Sequence, residues 1–167
     1  MTRFARTLAV NTLILSLLAA IAATANAQSA EPMKAATFTA TTITSDYVQS
    51  VVGTDEGVPH IRADFHPTWT ATDPRASGMA TYGVDRLEHP GVFVHAGTFA
   101  LENDGGSWVG TFWGFQDAAT AAHFYIQAEG QGGYEGWTLL ADDVCVCDNP
   151  TSEVSGVIVP GDLPPAE

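Results

Sequence analysis

The sequence predicts an all-β domain, a small antiparallel barrel assembled from hairpins. Three observations carry that expectation. Gly106-Ser107-Trp108-Val109-Gly110 and Gly132-Gly133-Tyr134-Glu135-Gly136 both read Gly-x-aromatic-x-Gly, 26 residues apart, and each follows a Gly-rich turn and opens a strand. His60–His66 alternates polar and apolar residues without a fault. In the first hairpin, aromatic side chains fall opposite glycines, an arrangement that covers bare backbone and lets a sheet curl.

Residues 1–27 are organised as an export signal rather than as fold. Arg3 and Arg6 form a basic start, Leu8–Ala23 an apolar run, and Ala25-Asn26-Ala27 a small-residue cleavage site. An uncleaved anchor is the alternative, weakened by the short run and its A-x-A end. Cleavage after Ala27 leaves 140 of the 167 residues, enough for one domain in a secreted or periplasmic protein, with no second apolar run long enough to span a membrane.

The full chain carries a formal charge of −13, and losing both n-region arginines makes the balance −15. Nucleic acid and anionic lipid both require clustered Lys and Arg, so neither is an expected partner. Scattered acids of this kind favour solubility over a site for a cationic ligand. The only cysteines, Cys145 and Cys147, would meet an oxidising compartment after export. On a strand they share a face, so a strained local disulfide is expected, with two thiols or an intermolecular bond as alternatives. The pair lacks zinc-site spacing, and no metal or cofactor is expected.

In chain order, residues 28–36 form a loose arm, 37–160 the barrel, and 161–167 a tail. Thr37–Gln49, rich in Thr with Ile and Val, is a first strand. Val52–Pro59 is a loop. His60, Arg62, Asp64 and His66 then share one strand face, more simply a solvated wall than a set of metal ligands. Pro67 ends that strand and Trp69–Thr72 starts another. Asp73–Gly78 has turn chemistry, and Arg75 has Asp73 as its expected clasp, with ligand binding as its alternative role. Met79–Leu87 is a strand, and His89-Pro90-Gly91 a turn.

The first hairpin can be read pair by pair. With Asp104-Gly105 as a two-residue type I′ turn, Leu101 faces Trp108, Phe99 faces Gly110, Gly97 faces Phe112, and His95 faces Gly114, all on one side. The other side ends in Val94, Trp113 and Phe115, a patch that would suit a subunit interface if exposed. The second hairpin leaves two registers open. A Gln131-Gly132 turn points His123, Tyr125, Gln127 and Glu129 inward with Tyr134, and Phe124, Ile126, Trp137 and Leu139 outward. One bulge residue reverses the first arm and buries Phe124, Ile126 and Ala128. A helix over Asp117–Glu129 is a third alternative. Gly156–Val159 is a closing strand.

Gly130-Gln131-Gly132-Gly133-Tyr134-Glu135-Gly136 resembles the Gly-x-Gly-x-aromatic-x-Gly turn of the allene oxide cyclase and dirigent group. Taken with Asp73–Gly78, Gly106–Gly110 and Gly156–Pro165, the chain from Trp69 to Pro165 is similar to exported bacterial proteins of unassigned function that share that barrel. The resemblance implies about eight antiparallel strands, a frequent homotrimer, and an apolar or mixed cavity. It carries no catalytic residue onto this sequence. Cys145-Val146-Cys147 and Trp137 depart from the pattern.

No Gly-x-Ser-x-Gly, Ser-x-x-Lys, His-Glu-x-x-His or phosphate-cradling loop is present. The leading expectation is a non-catalytic exported barrel that binds a small, mostly apolar or aromatic ligand, or a partner protein. Trp108, Phe112, Tyr134, Gln127 and Arg75 are its candidate ligand-binding residues. A cofactor-free isomerase or cyclase is the second reading, with His95, His123, Tyr125 or Glu129 as acid and base. A structural homo-oligomer with a filled lumen is the third.

Overall fold

A computed structural model describes residues 34–117, 121–146 and 149–162. The expected export signal lies outside them, as do Cys147, and with it the expected disulfide, and residues 163–167. Eight strands follow one another: β1 (Ala36–Asp55), β2 (Val58–Ala71), β3 (Gly78–His89), β4 (Val92–Asn103), β5 (Gly106–Asp117), β6 (Ala121–Gly132), β7 (Trp137–Val146) and β8 (Thr151–Pro160). Each pairs antiparallel with the next, and β8 returns to β1 through Ala36↔Ile158 to Ile43↔Thr151. Closure removes the sheet edges that would otherwise invite pairing with another chain.

Alternation decides which side chains fill the lumen. On β2, Ile61, Ala63 and Trp69 are buried while Arg62 and Asp64 are exposed. His60 instead meets Asp85 at 2.9 Å on the outer wall, and Arg62 meets the same oxygen at 3.1 Å. The lumen core gathers Phe38, Trp69, Tyr82, Phe99, Trp108 and Phe112, with smaller residues between them. Gly110 and Gly114 are required where β5 approaches β6, because a Cβ at either would run into the carbonyl of Gln127 or His123.

Two expectations about the first strands are corrected. Val52–Pro59 is not a loop but the tip of the β1–β2 hairpin, turning through Glu56 (φ 48) and Gly57 (φ 87) between Asp55 and Val58. Both positive φ values fit the type I′ geometry that matches strand twist. Pro67 does not end a strand either. It pairs with Thr44 beside a register shift, and a bulge is where a residue without an N–H is tolerated in a sheet.

The first hairpin has the register read from its sequence: Leu101↔Trp108, Phe99↔Gly110, Gly97↔Phe112 and His95↔Gly114. Its turn is not type I′, since neither Asp104 nor Gly105 has a positive φ. Asn103 Oδ1 holds the Gly105 amide at 2.9 Å instead. In the second hairpin Glu129 pairs with Thr138, so the turn is longer than two residues and Phe124, Ile126 and Ala128 are the buried set. Leu139 faces inward beside Ala128, contrary to the two-residue-turn register. The segment is strand, not helix.

Candidate functional site in the barrel cavity

One end of the lumen is plugged. Asp73 caps a short 3-10 turn, Pro74–Ala76, and clasps Arg75 through its backbone N–H at 3.0 Å and its guanidinium at 2.7 Å. Those bonds hold the Asp73 carboxyl below the usual carboxylate range. The Arg75 carbonyl accepts from Trp108 Nε1 at 2.8 Å, and its guanidinium lies 4.7 Å over the Trp137 ring. Tyr134 stacks on Trp108 at 5.0 Å and donates to Asn103 Oδ1 at 2.6 Å. Asn103 in turn donates to the Ser77 carbonyl at 2.7 Å. Trp108, Tyr134 and Arg75, expected to bind ligand, are thus engaged with one another and their neighbours at this plug.

The other end is open, with a cavity of about 570 Å³. Ala63, Phe65, Val84, Ala122 and Phe124 supply apolar wall, and Thr42, Arg86, His95, Gln116, Asp143 and Ser152 supply polar atoms. Tyr82 stacks on Phe65 at 4.4 Å and meets Phe112 edge-on at 5.4 Å. Phe124 meets Phe112 at 5.5 Å and the His95 ring at 5.2 Å, both edge-on. Phe112 is therefore a packing residue behind the cavity wall rather than part of its lining. This aromatic set divides plug from cavity. Half-buried Cys145 also lines the space.

The polar groups are unusual for how deeply they are held. His95 is 4% exposed and Asp143 3% exposed. Tyr82 donates to Asp143 Oδ2 at 2.9 Å, while Ser152 Oγ is engaged with Thr42 Oγ1 at 2.6 Å. Asp143 Oδ1 and both His95 ring nitrogens have no hydrogen-bond partner of good geometry among the described residues. Burial raises the Asp143 carboxyl above its ordinary value, against the lowering influence of the Ser152 and Tyr82 hydroxyls. Burial lowers His95 to about 4, Arg86 adds to that through its charge, and the Gln116 side chain opposes it. His95 is thus neutral at pH 7, one donor and one acceptor.

No protein-family model matches the sequence, and no curated protein matches it. The site therefore rests on its own geometry.

Arg86 organises the cavity mouth. It pairs with Glu88 at 2.6 Å, reaches Tyr47 Oη and Gln49 Oε1 at 3.4 Å, and lies 5.4 Å over Phe93. Of the candidate acid–base residues only His95 lies in the cavity. Placing His123, Tyr125 and Glu129 there is corrected by the β6 register, which turns them and Gln127 to the outer face. Outside, His123 stacks on Phe115 at 5.5 Å and stands 3.7 Å from Asp142, and Tyr125 packs on Trp113 at 4.5 Å. The expected Val94–Trp113–Phe115 patch is exposed, Trp113 by 61%.

Asp143 and Tyr82 were missed as site residues. The available signal was parity: Leu139, Ala141, Asp143 and Cys145 share one face of β7, so an inward Leu139 carries Asp143 inward too. Among the described residues no group of three or more His, Cys, Asp or Glu is placed to hold a metal ion. No helix among them is long and apolar enough to cross a membrane.

Proposed function

We propose that this protein is an exported barrel that binds a small, mostly apolar molecule in its open lumen, without transforming it. The cavity carries the reading: about 570 Å³ lies within the range of small-molecule sites, and its apolar walls hold a few convergent polar atoms. The basic start, apolar run and A-x-A site of residues 1–27 support export. The closed eight-stranded sheet is consistent with an allene oxide cyclase/dirigent-like barrel. Thermal denaturation against a panel of neutral lipophilic compounds tests the binding reading. A ligand should raise Tm in proportion to the logarithm of its excess over Kd. Ala63→Trp, which grows a side chain into the cavity, should abolish the rise; a shift that survives this change places binding elsewhere.

The presence of His95 and Asp143 on the lining of one cavity favours a second reading, a cofactor-free isomerase or cyclase in which these two move a proton. Turnover of a bound compound that His95→Gln removes while binding persists would select it. The open half of the lumen weighs against a structural barrel filled along its length. The exposed outer aromatics support self-association of the barrel.

A further inference from the structure

We infer that the cavity selects an uncharged ligand bearing a hydroxyl or carbonyl group, received by Asp143 and His95, over carboxylate and ammonium ligands of the same shape. The inference rests on the binding reading above and names the head group that site takes. Asp143 has one carboxyl oxygen held by Tyr82 and the other, Oδ1, buried with no hydrogen bond of good geometry; both nitrogens of buried His95 are in the same condition, although Ser152 and Gln116 stand near the two groups. Buried polar atoms are ordinarily satisfied, so three orphans lining one cavity mark where a ligand or water makes its hydrogen bonds.

Their surroundings exclude both kinds of ion. A carboxylate entering the cavity meets the Asp143 carboxyl and an imidazole that is neutral at pH 7. The one guanidinium on the lining, Arg86, is already committed to Glu88 at 2.6 Å. An ammonium ion fares no better, because it would have to shed its hydration among the apolar walls of Phe65, Val84 and Phe124. A cation would also require Asp143 to ionise where burial resists ionisation. A hydroxyl group can donate to Asp143 and accept from the imidazole N–H, and a carbonyl can accept from that N–H, with no charge of their own to desolvate.

The test uses the mature protein at pH 7 with Nile red as a neutral fluorescent reporter, displaced by three probes on one ten-carbon tail: 1-decanol, decanoate and decylammonium. Decanol should displace the dye at roughly tenfold lower concentration than either ion, the ratio equivalent to about one buried hydrogen bond. Asp143→Leu should weaken decanol by a similar factor while Nile red still binds. Asp143→Asn, which keeps a hydrogen-bonding side chain of the same shape, should hold decanol within about threefold of wild type. Equal or better displacement by either ion, or an Asp143→Leu protein that keeps the full preference, overturns the inference. Failure of Nile red and of every probe to bind overturns the binding reading itself.

Discussion

Tyr82 donates its hydroxyl hydrogen to Asp143 Oδ2 at 2.9 Å, a bond from β3 to β7 between two buried residues. Those strands are not sheet neighbours, so the bond spans the lumen rather than following the ladder. Tyr82→Phe keeps the stacked ring and strips only the donor, leaving the buried Oδ2 without its tyrosine hydrogen bond. The expected cost is about 1–3 kcal/mol, read from the urea midpoint. A double-mutant cycle with Asp143→Leu isolates the pair: a Tyr82→Phe cost that is unchanged in the second background would show that the bond contributes nothing.

Asp143 should make the fold less stable as pH rises. Its folded value lies above the unfolded one, so the native state binds the extra proton. The associated stability is fully present below the unfolded value, about 3.9, and is lost as pH climbs through the folded value. Asp143→Asn removes that loss. Its stability relative to wild type should therefore be more favourable at pH 8 than at pH 4, and a difference independent of pH would contradict the assignment.

His95 acts in the opposite direction. Its folded value is about 4 against an ordinary 6.5, so the unfolded chain binds the proton first. Its contribution is complete above pH 6.5 and disappears as pH falls to about 4, an interval equivalent to about 3 kcal/mol. His95→Leu should abolish that acid-side loss between pH 6.5 and 4. Imidazole NMR titration of the wild type provides the direct check, with a midpoint near 6.5 as the contrary outcome.

At the plugged end the sensitive residue is Asn103, although it lies at an ordinary-looking turn. Its amide donates to Ser77 O at 2.7 Å, and its oxygen accepts from Tyr134 Oη at 2.6 Å and the Gly105 amide at 2.9 Å. Asn103→Ala would release three elements at once: the segment after β2, the β4–β5 turn and the β6–β7 turn. Half-buried bonds of this kind are worth about 1 kcal/mol each, so a loss of about 2–3 kcal/mol is expected in chemical denaturation. A loss below about 0.5 kcal/mol would mean that water replaces them freely.

What could be read beforehand follows from where the information is local. The β4–β5 register was legible because Asp104-Gly105 fixes a short turn and because Phe99 and Phe112 complement Gly110 and Gly97 across it. The Asp73–Arg75 clasp was legible for the same reason, both partners lying within one turn. The direction of β6 was not. Gly130–Gly136 offers several turn lengths, and each added residue exchanges His123 and Tyr125 for Phe124 and Ile126. The site inherits this ambiguity. Asp143 acquires its burial from pairing with Phe124 and its partner from Tyr82 across the lumen, relationships that no local pattern records.

The outer face gives the last prediction. Val94, Trp113 and Phe115 are 45%, 61% and 43% exposed on the adjoining strands β4 and β5, and Tyr125 and His123 continue the surface on β6. Wide apolar patches of this kind are uncommon on soluble monomers. If a second copy covers the patch, sedimentation equilibrium of the protein should show an oligomer that Trp113→Ser with Phe115→Ser dissociates. Both residues point away from the lumen, so the double variant should keep its ligand response and its single unfolding transition. A monomeric wild type would leave the patch to a different partner. An oligomer that survives both substitutions would place the contact on another face of the barrel.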